Sequence, residues 1–357
     1  MPVLDMPLHE LHQYQGCSPR MPDFDAYWQQ ALSELDGVQA DVTLTPAEFQ
    51  APFAECFDLY FTGVDGARVY AKYLRPKGAA QTERAPACAN AGPSGGATTC
   101  TNGQTENAID GQTGRSTVSN CPVVLQFHGY TGSSGDWTDK LPLVAAGFCV
   151  AALDCRGQGG RSQDIGGVQG NTLNGHILRG AASGSRHLLY RSIYLDAVQL
   201  ARIVGGFSET DAARINTVGA SQGGALALAC AALVPEIKKT VAIYPFLCDF
   251  KRVYNMDLCQ EAYVEFTEYF RRFDPRHERE AALFETVSYI DIQNLTPRIQ
   301  SHVLMATGLM DSICPPSTQF AAYNKIQSQK ESIIYPDFGH DGLPGMEDKI
   351  FQFLMEK

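Results

Sequence analysis

Three residues set far apart in a chain of 357 have the side-chain types needed to break an acyl bond together. A serine hydroxyl is a weak nucleophile near neutrality, so it needs an imidazole to take its proton and a carboxylate to orient that imidazole. Ser221 lies in Gly219-Ala220-Ser221-Gln222-Gly223, Asp311 in Gly308-Leu309-Met310-Asp311, and His340 in Phe338-Gly339-His340-Asp341. The chemistry would be acyl transfer through a covalent serine ester.

The serine is the best marked of the three. A β-branched run, Ile215–Val218, enters a Gly-x-Ser-x-Gly turn and leaves it through the small apolar segment Ala225–Leu233. Strand, tight turn and helix in that order form a nucleophile elbow, in which the serine is lifted clear of the sheet at a helix N-terminus whose free N–H groups favour negative charge. Gly92-Pro93-Ser94-Gly95-Gly96 repeats the pattern, but without a strand before it or a helix after it. The order serine, acid, histidine is that of an α/β-hydrolase, with the acid and the histidine on loops after late strands. Asp311 follows the strand-like run His302–Thr307, and His340 follows Ser332–Tyr335. Asp291 and Asp341 are the rival acids, but neither follows a strand in that order. The oxyanion would be held by the backbone N–H of Gln222 and by a second amide after the His128 strand, for which Tyr130 is the candidate.

The elements needed to position these groups are legible around them. Residues 1–40 read as an N-terminal arm and a helix, started by Pro22-Asp23 and carried by Tyr27, Trp28, Ala31 and Leu32. Phe57–Thr62 and Val69–Tyr73 alternate about a turn and predict a hairpin. Buried strands are expected at Val123–Phe127, Phe148–Leu153 and Thr240–Tyr244, and helices at Leu188–Val204, Thr318–Ile326 and Met346–Met355. Strands alternating with helices imply a mostly parallel central sheet covered by helices on both faces, the α/β-hydrolase fold. Residues 247–298 turn aromatic, charged and helical, as in Tyr263–Phe273, and predict a helical cap insertion. Tyr130, Trp137, Phe246 and Phe270 are aromatics that would either line an acyl pocket or pack the core. Residues 78–120 lack Phe, Tyr, Trp and Leu and read as a low-complexity, flexible insertion in a single domain of residues 1–357.

Composition removes several classes of function. A formal net charge of -11 without a basic cluster argues against nucleic acid. No stretch has the length of a membrane span and the N-terminus has no secretory character, so the expectation is a cytoplasmic protein that does not bind membranes. Gly157-Gln158-Gly159-Gly160-Arg161-Ser162 lacks the third glycine and the following helix of a dinucleotide site. Eleven cysteines form no CxxC or Cys/His cluster, so no metal site is expected, and Cys149, Cys155, Cys230 and Cys248 read as buried thiols. A disulfide among Cys88, Cys100 and Cys121 would need an oxidising setting.

Taken together, Arg156-Gly157-Gln158, Gly219–Gly224, Gly308–Asp311 with Cys314-Pro315-Pro316-Ser317, and Gly339-His340 resemble the acetyl xylan esterase and cephalosporin C deacetylase group, carbohydrate esterase family seven. The resemblance runs from about Met21 to the C-terminus, excluding 78–120, with Asp341 standing where the family usually has Glu. It implies a cytoplasmic homo-oligomer, a hexamer in many members, that needs no cofactor and removes acetyl groups from xylo-oligosaccharides and cephalosporin-type esters. It assigns Ser221, Asp311 and His340 to the triad and the amides of Tyr130 and Gln222 to the oxyanion hole. The residues themselves leave open a general carboxylesterase, a thioesterase or a peptidase of the same fold, or a non-catalytic relative that binds ligands.

Overall fold

The structure is a computed structural model that describes residues 4–79, 120–164, 167 and 172–356. Its centre is one nine-stranded sheet in the order β1-β2-β3-β5-β4-β6-β7-β8-β9. These strands are β1 (Thr43–Pro46), β2 (Ala54–Thr62), β3 (Arg68–Pro76), β4 (Cys121–Phe127), β5 (Cys149–Leu153), β6 (Thr210–Ala220), β7 (Ile237–Ile243), β8 (His302–Gly308) and β9 (Lys330–Tyr335). From β5 to β9 every pairing is parallel, while β1, β2 and β3 add an antiparallel flank. The mostly parallel sheet expected from the alternation is therefore present. β1 has no apolar alternation to announce it; it forms because Thr43–Pro46 pairs with Phe57–Tyr60, at an edge where Pro46 leaves no ladder donor unsatisfied.

The helices are α1 (Leu8–Leu11), α2 (Phe24–Asp36), α3 (Leu141–Ala145), α4 (Leu189–Gly205), α5 (Gln222–Leu233), α6 (Phe250–Asn255), α7 (Val264–Phe273), α8 (Glu280–Val287), α9 (Ile292–Leu295), α10 (Pro316–Lys325) and α11 (Met346–Met355). Side chains alternate across the strands, so the helices divide between two faces. Val123, Leu125 and Phe127 of β4 join a core with α2, α4, α5 and α10, whereas Val124 joins one with Leu143 of α3 and Ile350, Phe353 and Leu354 of α11. Every residue of α5 is buried, as suits a helix that is apolar all round and lies between the sheet and α4.

Between β7 and β8 the regular elements are all helical, from α6 to α9, joined by short turns. Phe250, Tyr263, Phe266, Phe270 and Phe284 pack there among themselves. The N-terminal arm is tied to this segment and to α10. Tyr14 Oη and the Ser18 amide donate to Asp249 at 2.8 and 2.7 Å, and Asp5 accepts from Arg252 and from the Ser317 amide at 2.8 and 2.7 Å. Most of the 78–120 segment lies outside the described residues. Cys88 and Cys100 lie there too; the nine described cysteines are free thiols, with Cys149, Cys155, Cys230 and Cys248 buried as expected.

Candidate active site

The elbow is built by close backbone approach. A Cβ on Gly219 would lie 2.2 Å from the carbonyl carbon of Gly223, and one on Gly223 would lie 2.0 Å from the Phe127 carbonyl oxygen of β4. No side chain fits either place, so the turn requires both glycines. They also explain why α5 starts at Gln222 and not at Ala225: Gly223 and Gly224 are poor helix formers, but tight packing on β4 and β7 outweighs their propensity. Ser221 sits between strand and helix at φ 56°, ψ -121°. A non-glycine residue in that region carries roughly 1–3 kcal/mol of strain, held here by the surrounding bonds. The Ser221 amide donates to Ile243 at 2.9 Å, and its carbonyl accepts from Phe246 and Ala225, each at 3.0 Å.

His340 and Asp311 meet across 29 residues of chain: His340 Nδ1 is 2.8 Å from Asp311 Oδ2. Asp311 is fully buried, and its Oδ1 accepts from the amides of Ile313 and Cys314 at 2.9 and 2.8 Å. Gln319 of α10 donates to Asp311 Oδ2 at 3.4 Å and to the Cys314 carbonyl at 2.6 Å, while Thr307 donates to its amide oxygen. The carboxylate is thus the acceptor for every group facing it. That arrangement puts the proton of a neutral imidazole on Nδ1 and leaves Nε2 free as a base. Tyr244, just after β7, packs its ring 4.4 Å from that of His340. The rivals are engaged elsewhere: Asp291 accepts from the Asp249 amide, and Asp341 from the Gly339 amide.

Ser221 and His340 line one cleft of about 830 Å³, together with Gly129, Tyr130, Asn174, Phe246, Val264 and others. No direct hydrogen bond joins the two among the described residues, a spacing that in such sites closes once substrate is bound. Gln222 is the first residue of α5, so its N–H has no intrahelical acceptor. Tyr130 borders the same cleft on the loop after β4.

Arg156-Gly157-Gln158 supports this loop and the elbow from beneath. Gln158 Oε1 accepts the Thr131 amide at 3.0 Å, its Nε2 donates to Gln222 Oε1 at 2.8 Å, and Tyr190 Oη donates to the same oxygen at 2.6 Å. Arg156 is held in two parallel bonds, 2.7 and 2.6 Å, to Asp196 of α4, with both side chains buried. A stretch read from its glycines alone as a failed dinucleotide site is therefore a brace between the two loops that supply the candidate oxyanion amides. His128 Nε2 accepts the Cys155 amide at 3.0 Å, and burial pushes its pKa down, so this ring serves as a structural acceptor between the two loops.

The aromatics left open between an acyl pocket and the core divide between the two. Trp137 stacks on Phe49 under Lys72, and Phe270 packs on Tyr254, His277 and Phe284, so neither reaches the cleft; Tyr130 and Phe246 do. Cys314 is the neighbour that sequence reasoning passed over. It is fully buried beside the Ser221 hydroxyl, and it brings sulfur within 4.8 Å of ligand atoms on Asp311 and His340. A cluster of potential metal ligands therefore exists where no sequence spacing showed one. Burial pushes the thiol pKa well up, so sulfur stays protonated, and the imidazole and carboxylate are bonded to each other. The donors are arranged for proton transfer.

The family described as Acetyl xylan esterase (AXE1) matches residues 1–91 and 99–357, so the likeness takes in the N-terminal arm as well as the body. Acetyl xylan esterase 1 from Thermoanaerobacterium sp. JW/SL YS485 is 49% identical and superposes with a TM-score of 0.84 over 98% of each chain. Acetyl xylan esterase from Paenibacillus sp. R4 is 31% identical with a TM-score of 0.82 over 98% of this chain and 99% of its own. Acetyl esterase Axe7A of Xylanibacter ruminicola is 29% identical over 163 residues, which are 46% of this chain and only 35% of that relative's length.

Proposed function

The chain belongs to the acetyl xylan esterase family, a family of hydrolytic esterases with the α/β-hydrolase fold, and from that premise we propose that it is a serine esterase removing acetyl groups from O-acetylated xylo-oligosaccharides. The observation that carries this reading is the Asp311–His340 pair opening on the cleft that also holds the strained Ser221. Ser221 Oγ attacks the ester carbonyl while His340 Nε2 takes its proton. The tetrahedral oxyanion is held by the Tyr130 and Gln222 amides, and His340 then gives the proton to the departing sugar hydroxyl. Water repeats the cycle on the acetyl-serine and releases acetate. Asp311 keeps the imidazole in the correct tautomer and stabilises its cation.

The same chemistry extends to cephalosporin-type acetyl esters, whose reacting group is identical. The family likeness also supports a cytoplasmic homo-oligomer, with no helix in the described residues long and apolar enough to cross a membrane. Within the chain we read one domain: an N-terminal arm and helix over 1–40, an insertion over 78–120, and a cap over 247–298 that lends Glu261, Ala262 and Val264 to the cleft wall. Light scattering on the purified protein tests the assembly.

The decisive experiment measures hydrolysis of p-nitrophenyl acetate, butyrate and octanoate, and acetate release from acetylated xylo-oligosaccharides, by wild type and Ser221→Ala. A rate falling steeply with acyl length and dropping roughly 10⁶-fold in the variant supports the proposal. Flat chain-length dependence removes the acetyl preference, and an active Ser221→Ala removes the nucleophile.

A further inference from the structure

Residues 172–180 form a loop without helix or strand, and it touches the candidate oxyanion loop at Tyr130. The His176 amide donates to Tyr130 Oη at 3.4 Å, and the His176 ring stands edge-on to the Tyr130 ring at 5.2 Å. Phe246 packs on the same ring at 5.5 Å, so the Tyr130 side chain is held between a fixed aromatic and a loop. What orders the loop is a carboxylate outside the triad. Glu265 of α7 accepts the Ile177 amide on Oε1 at 3.0 Å and the Leu178 amide on Oε2 at 2.7 Å, and it also faces the Gly175 amide.

Glu265 is 8% exposed and has no ion-pair partner among the described residues. The cations around it are committed, Arg179 to Asp164 and Arg272 to Glu268, while Arg279 donates to the Phe273 carbonyl. A carboxylate buried among backbone amides with no cation is an expensive way merely to pack a helix, since an apolar side chain would avoid the desolvation. Its two oxygens do what an apolar group cannot: they take the N–H groups of Ile177 and Leu178, the two residues that follow His176, and face that of Gly175 before it.

We propose that Glu265 is a positioning residue for ester cleavage, seating His176 against Tyr130 and so aiming the Tyr130 amide at the oxyanion. This rests on the reading of Tyr130 and Ser221 given above. Glutamine is the sharp probe, because it keeps the size of the side chain but satisfies one amide only and turns an NH₂ group toward the other.

The test compares wild type, Glu265→Gln, Tyr130→Phe and the double variant for kcat, KM and melting temperature. It adds binding of a small alkylboronic acid, whose tetrahedral serine adduct places an oxygen in the oxyanion site. The expected result for Glu265→Gln is a kcat loss of roughly 10–100-fold, the scale of small misplacements in a site, with KM nearly unchanged and boronate affinity falling in parallel. Tyr130→Phe, which removes the acceptor of the His176 amide, should show the same pattern, and the double variant should be no worse than the poorer single one. Unchanged kcat, a kcat loss without loss of boronate affinity, or additive losses would overturn the proposal. If Glu265→Gln fails to fold, Tyr130→Phe alone decides: parallel losses of kcat and boronate affinity at an unchanged melting temperature support the proposal, and wild-type kcat overturns it. Hydrolysis that survives Ser221→Ala would sink the reading of the site itself, whereas Ser221-dependent hydrolysis indifferent to Glu265 sinks only this proposal.

Discussion

The side-chain amide of Gln158 lies 2.8 Å from Gln222 Oε1, and both residues are buried, so the turn after β5 and the elbow after β6 are joined by one amide pair. Because Gln158 also accepts the Thr131 amide, it spaces the two loops that carry the candidate oxyanion amides. Gln158→Ala removes both bonds and leaves the Thr131 N–H and the Gln222 carbonyl without these partners. The expected outcome is a kcat loss of about 100-fold with a smaller change in KM, since donors displaced by fractions of an ångström lose most where charge develops. Steady-state kinetics on p-nitrophenyl acetate checks it.

Asp311→Asn should leave the fold intact and lower kcat by roughly 10⁴-fold, the scale known for triads in which the imidazole is left in the wrong tautomer. The amide would turn an NH₂ group either to His340 or to the amides of Ile313 and Cys314. Circular dichroism beside kinetics separates the chemical loss from unfolding.

Gly223→Ala is expected to destabilise the protein by about 3 kcal/mol or more, because its Cβ would meet the Phe127 carbonyl oxygen at 2.0 Å and backbone cannot rotate away. Gly342→Ala, whose Cβ meets nothing within 4 Å, is the control and should melt with wild type. Urea unfolding of both variants gives the comparison.

Burial pushes the Glu265 carboxyl up from 4.5 to about 7. A raised carboxyl pKa means the folded protein holds a proton that the unfolded chain has released. The resulting contribution to stability is full below pH 4.5 and is lost as pH rises through about 7. The groups sharing its surroundings are Glu268 and Arg272 on α7, Arg179 and His176 on the loop, Arg279 after α7, and Tyr130 and Tyr190 opposite. The stability of wild type relative to Glu265→Gln should therefore fall by roughly 3 kcal/mol across that window and stay level on either side. Denaturant unfolding at a series of pH values reads it, and a difference that rises with pH would contradict the sign.

Much of the fold was legible because its signals are local. The run Ile215–Val218 entering Gly-x-Ser-x-Gly marks strand and turn, and Met346–Met355 was placed to the residue by its apolar spacing. What was missed depends on partners. Thr43–Pro46 is a strand only because β2 lies beside it, and Trp137 belongs to a stack with Phe49 that no spacing reveals. Gln158 and Cys314 sat inside motifs whose purpose could not be read, since a side chain's use depends on what the fold sets opposite it.

The sequence by itself determined the chemistry available here: a serine in an elbow, an acid and a histidine in the order of their strands, and glycines where backbones must nearly touch. These follow from short-range sterics and from periodicity, which a chain carries in its residue order. Only the tertiary structure decided the company these groups keep. It brought Asp311 to His340, buried a thiol beside Ser221, and hung the loop against Tyr130 on the carboxylate of Glu265. Those contacts join residues tens of positions apart through burial and directed hydrogen bonds, whose strength depends on packing around them that no single segment contains.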